Sequence, residues 1–194
     1  TLCQVVTAQS LPDINSRRYF KSGDVTIGGL FPVHVRKVTH ACTDEDLRTY
    51  YVVLAEAMVF AIKEINNNRN ILPNIKLGFD IQDTCLINKL AMRSALEFVN
   101  YNDYASSNAN FKNINAPSTC PGVIRTRQIV PVSAVIGTGT SRSSTLVSNI
   151  LQVQDMPLVS YAATSDQLSS TNFPNFLRTV PPDRFQSKAM VDIA

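Results

Sequence analysis

Val132-Ser133-Ala134-Val135-Ile136-Gly137, the turn Thr138-Gly139-Thr140-Ser141, and the stretch from Arg142 to Gln154 together decide the fold. A short run of β-branched and small residues ends on a glycine, and a turn of hydroxyl residues follows. Apolar positions then recur at helical spacing, Leu146, Ile150 and Val153 on one stripe with Val147 and Leu151 beside them. The passage reads as strand, turn and helix.

Working outward, the same unit repeats. Val25 to Phe31 predicts a buried strand closed by Pro32. A helix follows, with capping and acidic residues at Thr43-Asp44-Glu45-Asp46, an apolar series at Leu54, Ala57, Met58, Ala61, Ile62 and Ile65, and an end at Asn66-Asn67-Asn68. Ile75, Leu77, Phe79 and Ile81 alternate with polar residues or glycine, the period of a strand with one buried face. A helix from about Ile87 to Asn100 carries two apolar stripes, one through Leu90, Ala95 and Phe98 and a second through Met92, Leu96 and Val99. Tyr101 to about Gln128 reads as a long polar surface loop. Beyond the opening passage lie short strands at Pro157–Tyr161 and Phe176–Thr179, and a helix capped by Asp183 that runs to Ala194. Strands alternating with helices imply an α/β fold: an open, largely parallel sheet with helices on both faces, whose ligands bind beyond the carboxyl ends of the strands at a topological switch point.

Composition narrows the function. The chain has 194 residues, 44% of them hydrophobic and 17% charged, with a net charge of +3 spread without like-charged blocks. That gives no nucleic-acid footprint, and no apolar run approaches the ~20 residues of a membrane span. The start, Thr1-Leu2-Cys3-Gln4, suits a secreted chain after removal of a signal peptide. Cys3, Cys42, Cys85 and Cys120 are widely spaced without a C-x-x-C pair. Disulfides in an oxidising compartment fit this better than zinc, and four cysteines leave three pairings open. Catalysis finds no constellation: His34 and His40 stand outside any metal-ligand motif and read as surface residues, and neither a nucleophile elbow nor H-E-x-x-H occurs. We read the chain as not an enzyme.

The turn before Arg142 puts backbone N–H groups and the positive end of a helix dipole beside the hydroxyls of Thr140 and Ser141. Both the phosphate-loop pattern and a third glycine are lacking, so a carboxylate suits this turn better than a nucleotide. The plainer reading of Ser141 from these residues alone is a helix cap. Ala162-Ala163-Thr164-Ser165 follows the next strand and would lie beside the Ser141 turn, offering hydroxyls and carbonyls to an ammonium group, although the same residues are ordinary turn formers.

Four stretches, GDVTIGGLFPVH (23–34), AMVFAIKEINNN with ILPNIKLGFDIQDTC (ending at Cys85), VSAVIGTGTSRSSTLVSNIL (132–151), and MPLVSYAATSDQLSS with FPNFLRTVPPDRFQSKAM, resemble the extracellular ligand-binding (Venus flytrap) modules of class C G-protein-coupled receptors. The nearest likeness is to the calcium-sensing, amino-acid-sensing, taste and vomeronasal type 2 receptors, with the metabotropic glutamate receptors slightly further away. GFDIQDTC and FPNFLRTVPPDR tilt it toward the taste receptors. The resemblance implies a periplasmic-binding-protein-like clamshell. Residues 1–194 would form the N-terminal part of its ligand-binding domain, mostly the first lobe, with the second lobe, a cysteine-rich segment and the membrane helices lying outside this sequence. Closure on a ligand would rearrange a dimer.

The family's amino-acid grip falls on Ser141, Ala162 and Thr164. At Leu54, aligned on Glu56-Ala57-Met58, glutamate receptors carry an arginine for the ligand's distal carboxylate, so the leucine favours a neutral or apolar amino acid. The resemblance also pairs Cys42 with Cys85. It leaves Cys120 either between subunits or joined to Cys3. It further places Leu96, Val99, Ile150 and Val153 at a dimer contact. Implied partners are an amino-acid-like ligand, an identical or different class C subunit, and a heterotrimeric G protein reached through the membrane region. The implied location is the extracellular side of the plasma membrane. No organic cofactor is implied, and the sequence assigns neither a metal nor calcium as a co-agonist. Two other readings stand beside this one: a soluble periplasmic-type uptake protein, and a receptor subunit that assembles without binding ligand.

Overall fold

Strand β2 (Val25–Phe31) occupies the middle of the sheet because neither of its faces can meet water. Leu30 is 0% and Phe31 1% exposed, on opposite faces. The computed structural model describes residues 17–35, 42, 47–107 and 131–193, with 100–107 as backbone only. Its strands are β1 (Arg18–Lys21), β2, β3 (Leu77–Asp83), β4 (Val132–Gly137), β5 (Leu158–Ser160) and β6 (Phe176–Arg178), in the order β1-β3-β2-β4-β5-β6. All neighbours are parallel except β1, which runs antiparallel to β3 at the edge.

The helices are α1 (Thr49–Asn67), α2 (Asn88–Ser107), α3 (Ser141–Leu151) and α4 (Asp183–Ile193). The connection from β2 through α1 to β3 steps one way across the sheet, and those through α2 and α3 step the other way. Crossovers of one hand therefore put α1 on one face and α2 with α3 on the opposite face. The packing follows this. Met58, Val59 and Ile62 of α1 meet Phe31, Phe79 and Ile81, while Ala95 and Phe98 of α2 and Val147 and Leu151 of α3 share a cluster with Leu30, Val135 and Leu158. Each large apolar side chain buried this way contributes roughly 1.5 to 3 kcal/mol of transfer free energy. The order reverses between β2 and β4, so the switch point lies where Phe31 and Gly137 end their strands.

Several local expectations are corrected. β1 has no apolar alternation to announce it. It is held by Arg18, whose Nε and Nη2 each lie 2.5 Å from the Asp80 carboxylate. Asp80 is 1% exposed, and a carboxylate that deep requires such a partner. For the same reason β3 is buried on both faces rather than one: Asp80 and Gln82 lie against β1 and the α2 side. Ile75 falls before the strand and is 42% exposed.

Helix α2 continues through Ser107, past the loop start expected at Tyr101, since no proline or glycine interrupts those residues. Helix α1 starts at Thr49 with no side-chain cap, and the expected capping residues 43–46 lie outside the described residues. Its buried stripe is Ala55, Met58, Val59 and Ile62; Ala57 and Ala61 face outward. No described helix is long and apolar enough to cross a membrane.

Candidate functional site

The site begins at Gly137. Its φ is +143°, and a Cβ there would lie 2.5 Å from the Leu30 carbonyl oxygen, so only glycine ends β4 this way. The turn that follows is anchored from below. Thr138 is buried and shares a 2.8 Å hydrogen bond with Ser144 Oγ. Ser160 Oγ donates to the Thr138 carbonyl at 3.0 Å and accepts from the N–H groups of Ala162 (3.3 Å) and Ala163 (3.0 Å). One buried serine thus ties the loop after β4 to the loop after β5.

Thr140, not Ser141, caps α3: its side chain accepts from Ser143 N–H at 3.2 Å. That frees Ser141, the first residue of the helix, for other work. Its Oγ accepts from Thr164 N–H at 3.2 Å and Ser165 N–H at 3.1 Å. With two donors aimed at its oxygen, the Ser141 hydroxyl has its own proton left to give, and it gives it beside the positive end of α3. The Thr164 hydroxyl takes part in none of these bonds. Ser141, Ala162 and Thr164 therefore share one rim, formed by the two loops that follow β4 and β5. The chemistry this rim offers is hydroxyl and N–H donors toward an anion, with the carbonyls of Ala163, Thr164 and Ser165 bonded elsewhere.

Arg178, which sequence reasoning missed, explains that second loop. From the end of β6 its Nη1 donates to the carbonyls of Ala163 (3.2 Å) and Ser165 (3.0 Å), its Nη2 donates to Ser169 Oγ, and Asp183 N–H donates to the Thr164 carbonyl at 2.8 Å. An arginine in a three-residue strand carries no motif, so nothing in the sequence marks it. With these three carbonyls so engaged, the Thr164 and Ser165 N–H groups face Ser141, while those of Ala162 and Ala163 go to Ser160.

The first turns of α1 reach the same rim. Tyr51 Cε1 lies 3.2 Å from the position a Cβ would take on Gly139. Leu54, three residues later, is partly buried against the cluster that also receives Tyr161. The Tyr161 ring stacks on Phe31 with centroids 5.5 Å apart. Burial first, then the neighbouring phenols of Tyr51 and Tyr50, hold its pKa well above the ordinary tyrosine range, so it is a neutral donor.

The remaining predicted residues lie elsewhere. Cys42 and Cys85 form a disulfide with Cα atoms 6.0 Å apart. Arg17 donates to Cys85 Sγ at 2.8 Å and to the Cys42 carbonyl. Asp83 lies beside these sulfurs, but the bridge consumes both thiols and leaves no metal-ligand set there. Cys3, Cys120 and His40 fall outside the described residues. His34 is not a free surface group: its Nδ1 is 2.5 Å from Asp83 Oδ2. Of the proposed contact residues, Leu96 is 47% and Val153 75% exposed, and Ile150 is partly buried. Val99, at 5%, belongs to the core between α2 and α3, which narrows the outer stripe to the other three. A groove of about 650 Å³ at the opposite, amino end of the strands is lined by Asp24, Asn66 and Lys76 among others. Asp24 and Asn66 already bond the backbone of Lys76 and Leu77 there.

Residues 53–194 match the family described as receptor family ligand binding region. The chain is 36% identical over 176 residues to metabotropic glutamate receptor 6 of Oryctolagus cuniculus, covering 89% of this chain and 20% of that protein. It is 39% identical over 178 residues to the metabotropic glutamate receptor of Drosophila melanogaster (88% and 17%), and 37% identical over 190 residues to the extracellular calcium-sensing receptor of Homo sapiens (91% and 16%). The chain thus spans a fifth or less of the length of these relatives. The family match includes the Ser141 turn and the Thr164 loop, and the chain belongs to the extracellular ligand-binding region of the class C G-protein-coupled receptors, a binding region and not an enzyme.

Proposed function

We propose that this chain is most of the first lobe of a clamshell that binds an amino acid or a close analogue outside the cell, at the plasma membrane, and signals by closing and rearranging a receptor dimer that engages a G protein. The observation that carries the reading is the Ser141 hydroxyl, which accepts two N–H groups from the Thr164 loop and keeps its own proton for an anion. A ligand carboxylate held between the Ser141 hydroxyl and the amino end of α3, with its ammonium group near the Thr164 hydroxyl, satisfies both loops at once. The second lobe would supply the rest of the grip, and a ligand that binds the closed state more tightly than the open one shifts the equilibrium toward closure.

Leu54 sets the ligand preference. An apolar side chain at this rim offers nothing to a second carboxylate, which favours neutral amino acids over glutamate. Leu96, Ile150 and Val153 support a dimer contact along the outer side of α2, α3 and the turn that follows α3. The tilt toward taste receptors rests on the runs ending at Cys85 and around Arg178 alone; the relatives named above are metabotropic glutamate receptors and a calcium-sensing receptor.

The test is a change of specificity. In the complete two-lobed ectodomain, Leu54→Arg should tighten binding of L-glutamate by at least about tenfold through a charge-assisted pair, while L-alanine gains nothing. Glutamate affinity unchanged by the arginine would remove Leu54 from the pocket. Wild-type protein that prefers glutamate to alanine would overturn the stated ligand class.

A further inference from the structure

Helix α4 meets the rest of the lobe at its first turn. No residue of α4 is buried, and Phe185, Met190, Val191 and Ile193 are 55% to 86% exposed. The first turn is bound twice to the Thr164 loop. Asp183 N–H, one of the donors that a helix start leaves without an intrahelical partner, goes to the Thr164 carbonyl at 2.8 Å. One residue on, Arg184 Nη1 lies 3.8 Å from Asp166 Oδ1. The link before α4 is short and stiff: Thr179 N–H donates to the Ser160 carbonyl at 3.0 Å, and Pro181 and Pro182 each fix φ. The same loop sends the N–H groups of Thr164 and Ser165 to Ser141. Residues 164 to 166 therefore meet the ligand rim on one side and the start of α4 on the other.

We propose that Asp166 and Arg184 form a clasp that fixes the direction in which α4 leaves the lobe, and so couples the ligand loop to the orientation of the second lobe. The inference rests on the two-lobed reading above, in which α4 leads toward that second lobe. Asp166 and Arg184 are positioning residues: they act through the Thr164 loop and not on the ligand. Both side chains are about half exposed, at 45% and 58%, so the pair is a weak one that opens and reforms at little cost. The backbone bond from Asp183 to Thr164 stays as the pivot. With the clasp broken, the second lobe samples more orientations and a smaller share of them closes on a ligand. The apparent affinity then falls by that share, whichever amino acid is bound.

The experiment titrates the complete two-lobed ectodomain with L-alanine and L-glutamine by calorimetry, in wild type, Asp166→Asn, Arg184→Gln, Arg184→Asp and the exchange of Asp166→Arg with Arg184→Asp. Each neutral variant should weaken both amino acids by the same factor, about two- to fivefold, the range of an exposed ion pair. Arg184→Asp sets two carboxylates face to face and should weaken them further, and the exchange should bring both back to within about twofold of wild type. Loss of either charge acts in the same direction here, whereas a direct field on the ligand would move the affinity in opposite directions. Unchanged or tighter binding in the neutral variants, opposite shifts, an exchange no better than Arg184→Asp, or a ligand-free melting point lowered by several degrees would each overturn the clasp. A second arm needs no ligand. With one spin label on each lobe, Arg184→Asp should broaden the distribution of interlobe distances and the exchange should narrow it again; an unchanged distribution overturns the clasp. If wild type binds neither amino acid, the amino-acid reading falls, and the distance distributions decide the clasp by themselves.

Discussion

Replacing Ser141 with alanine removes one oxygen and produces two separable effects. Within the lobe, the N–H groups of Thr164 and Ser165 lose an acceptor at 3.2 and 3.1 Å. Both residues are partly exposed, so water can take its place, and the loss of stability should be about 1 to 2 kcal/mol for the two neutral bonds together. Toward the ligand, the variant loses a hydroxyl that donates to a carboxylate. A charge-assisted bond of this kind is worth about 1.5 to 3 kcal/mol, which raises Kd roughly ten- to a hundredfold. Calorimetric titration of the folded ectodomain reads the second effect without the first, and thermal melting without ligand reads the first alone. Ser141→Thr keeps the hydroxyl and should stay within a few-fold of wild type. A Ser141→Ala protein that binds its amino acid within about twofold of wild type would refute the assignment of this hydroxyl to the ligand.

Further outcomes follow from the same geometry. The Cys42–Cys85 bridge joins residues 43 apart, and a loop of that length corresponds to about 4 kcal/mol in the chain-entropy view, so replacing both cysteines by serine should lower stability by roughly that amount in denaturant melts; an unchanged midpoint would show the bridge to be idle. Gly137→Ala forces a side chain into a φ of +143° and against the Leu30 carbonyl, and should cost roughly 2 to 4 kcal/mol; wild-type stability would contradict the close approach. Arg178→Ala frees the carbonyls of Ala163 and Ser165 and should speed hydrogen exchange at the Thr164 and Ser165 amides more than elsewhere in the lobe. Exchange unchanged at those two amides would show that Arg178 does not hold the loop.

Strand, turn and helix around Gly137 were readable because apolar periodicity reports burial directly, and the same signal marked β2, α1 and α3. The two-faced burial of β3 was not readable. Alternating Asp80 and Gln82 look solvent-facing until Arg18, some sixty residues earlier, arrives to neutralise the carboxylate. Long-range pairing also hid β1, and a helix without a breaker hid the true end of α2.

At the site, hydroxyl residues after two adjacent strands predicted two facing loops, and Ser141 does bond the Thr164 loop. Which hydroxyl caps the helix could not be told from spacing, since Thr140 and Ser141 are neighbours and the backbone angle at Thr140 decides between them. Arg178 and Tyr161 act through carbonyls and a stacked ring, partners that leave no pattern in a sequence. Val99 misled for a related reason: two apolar stripes on α2 announce two packed sides, but α3 covers one of them.

The most direct test of the account is the melting temperature of the complete two-lobed ectodomain against each of the twenty amino acids, because a ligand that binds only the folded state raises it by mass action. At about a hundred times Kd the stabilisation should approach 2.7 kcal/mol. The account predicts a rise with neutral amino acids, a smaller one or none with glutamate, and loss of the rise in Ser141→Ala. A well-folded dimer that responds to no amino acid would contradict it, and would make this lobe that of a subunit that assembles without binding.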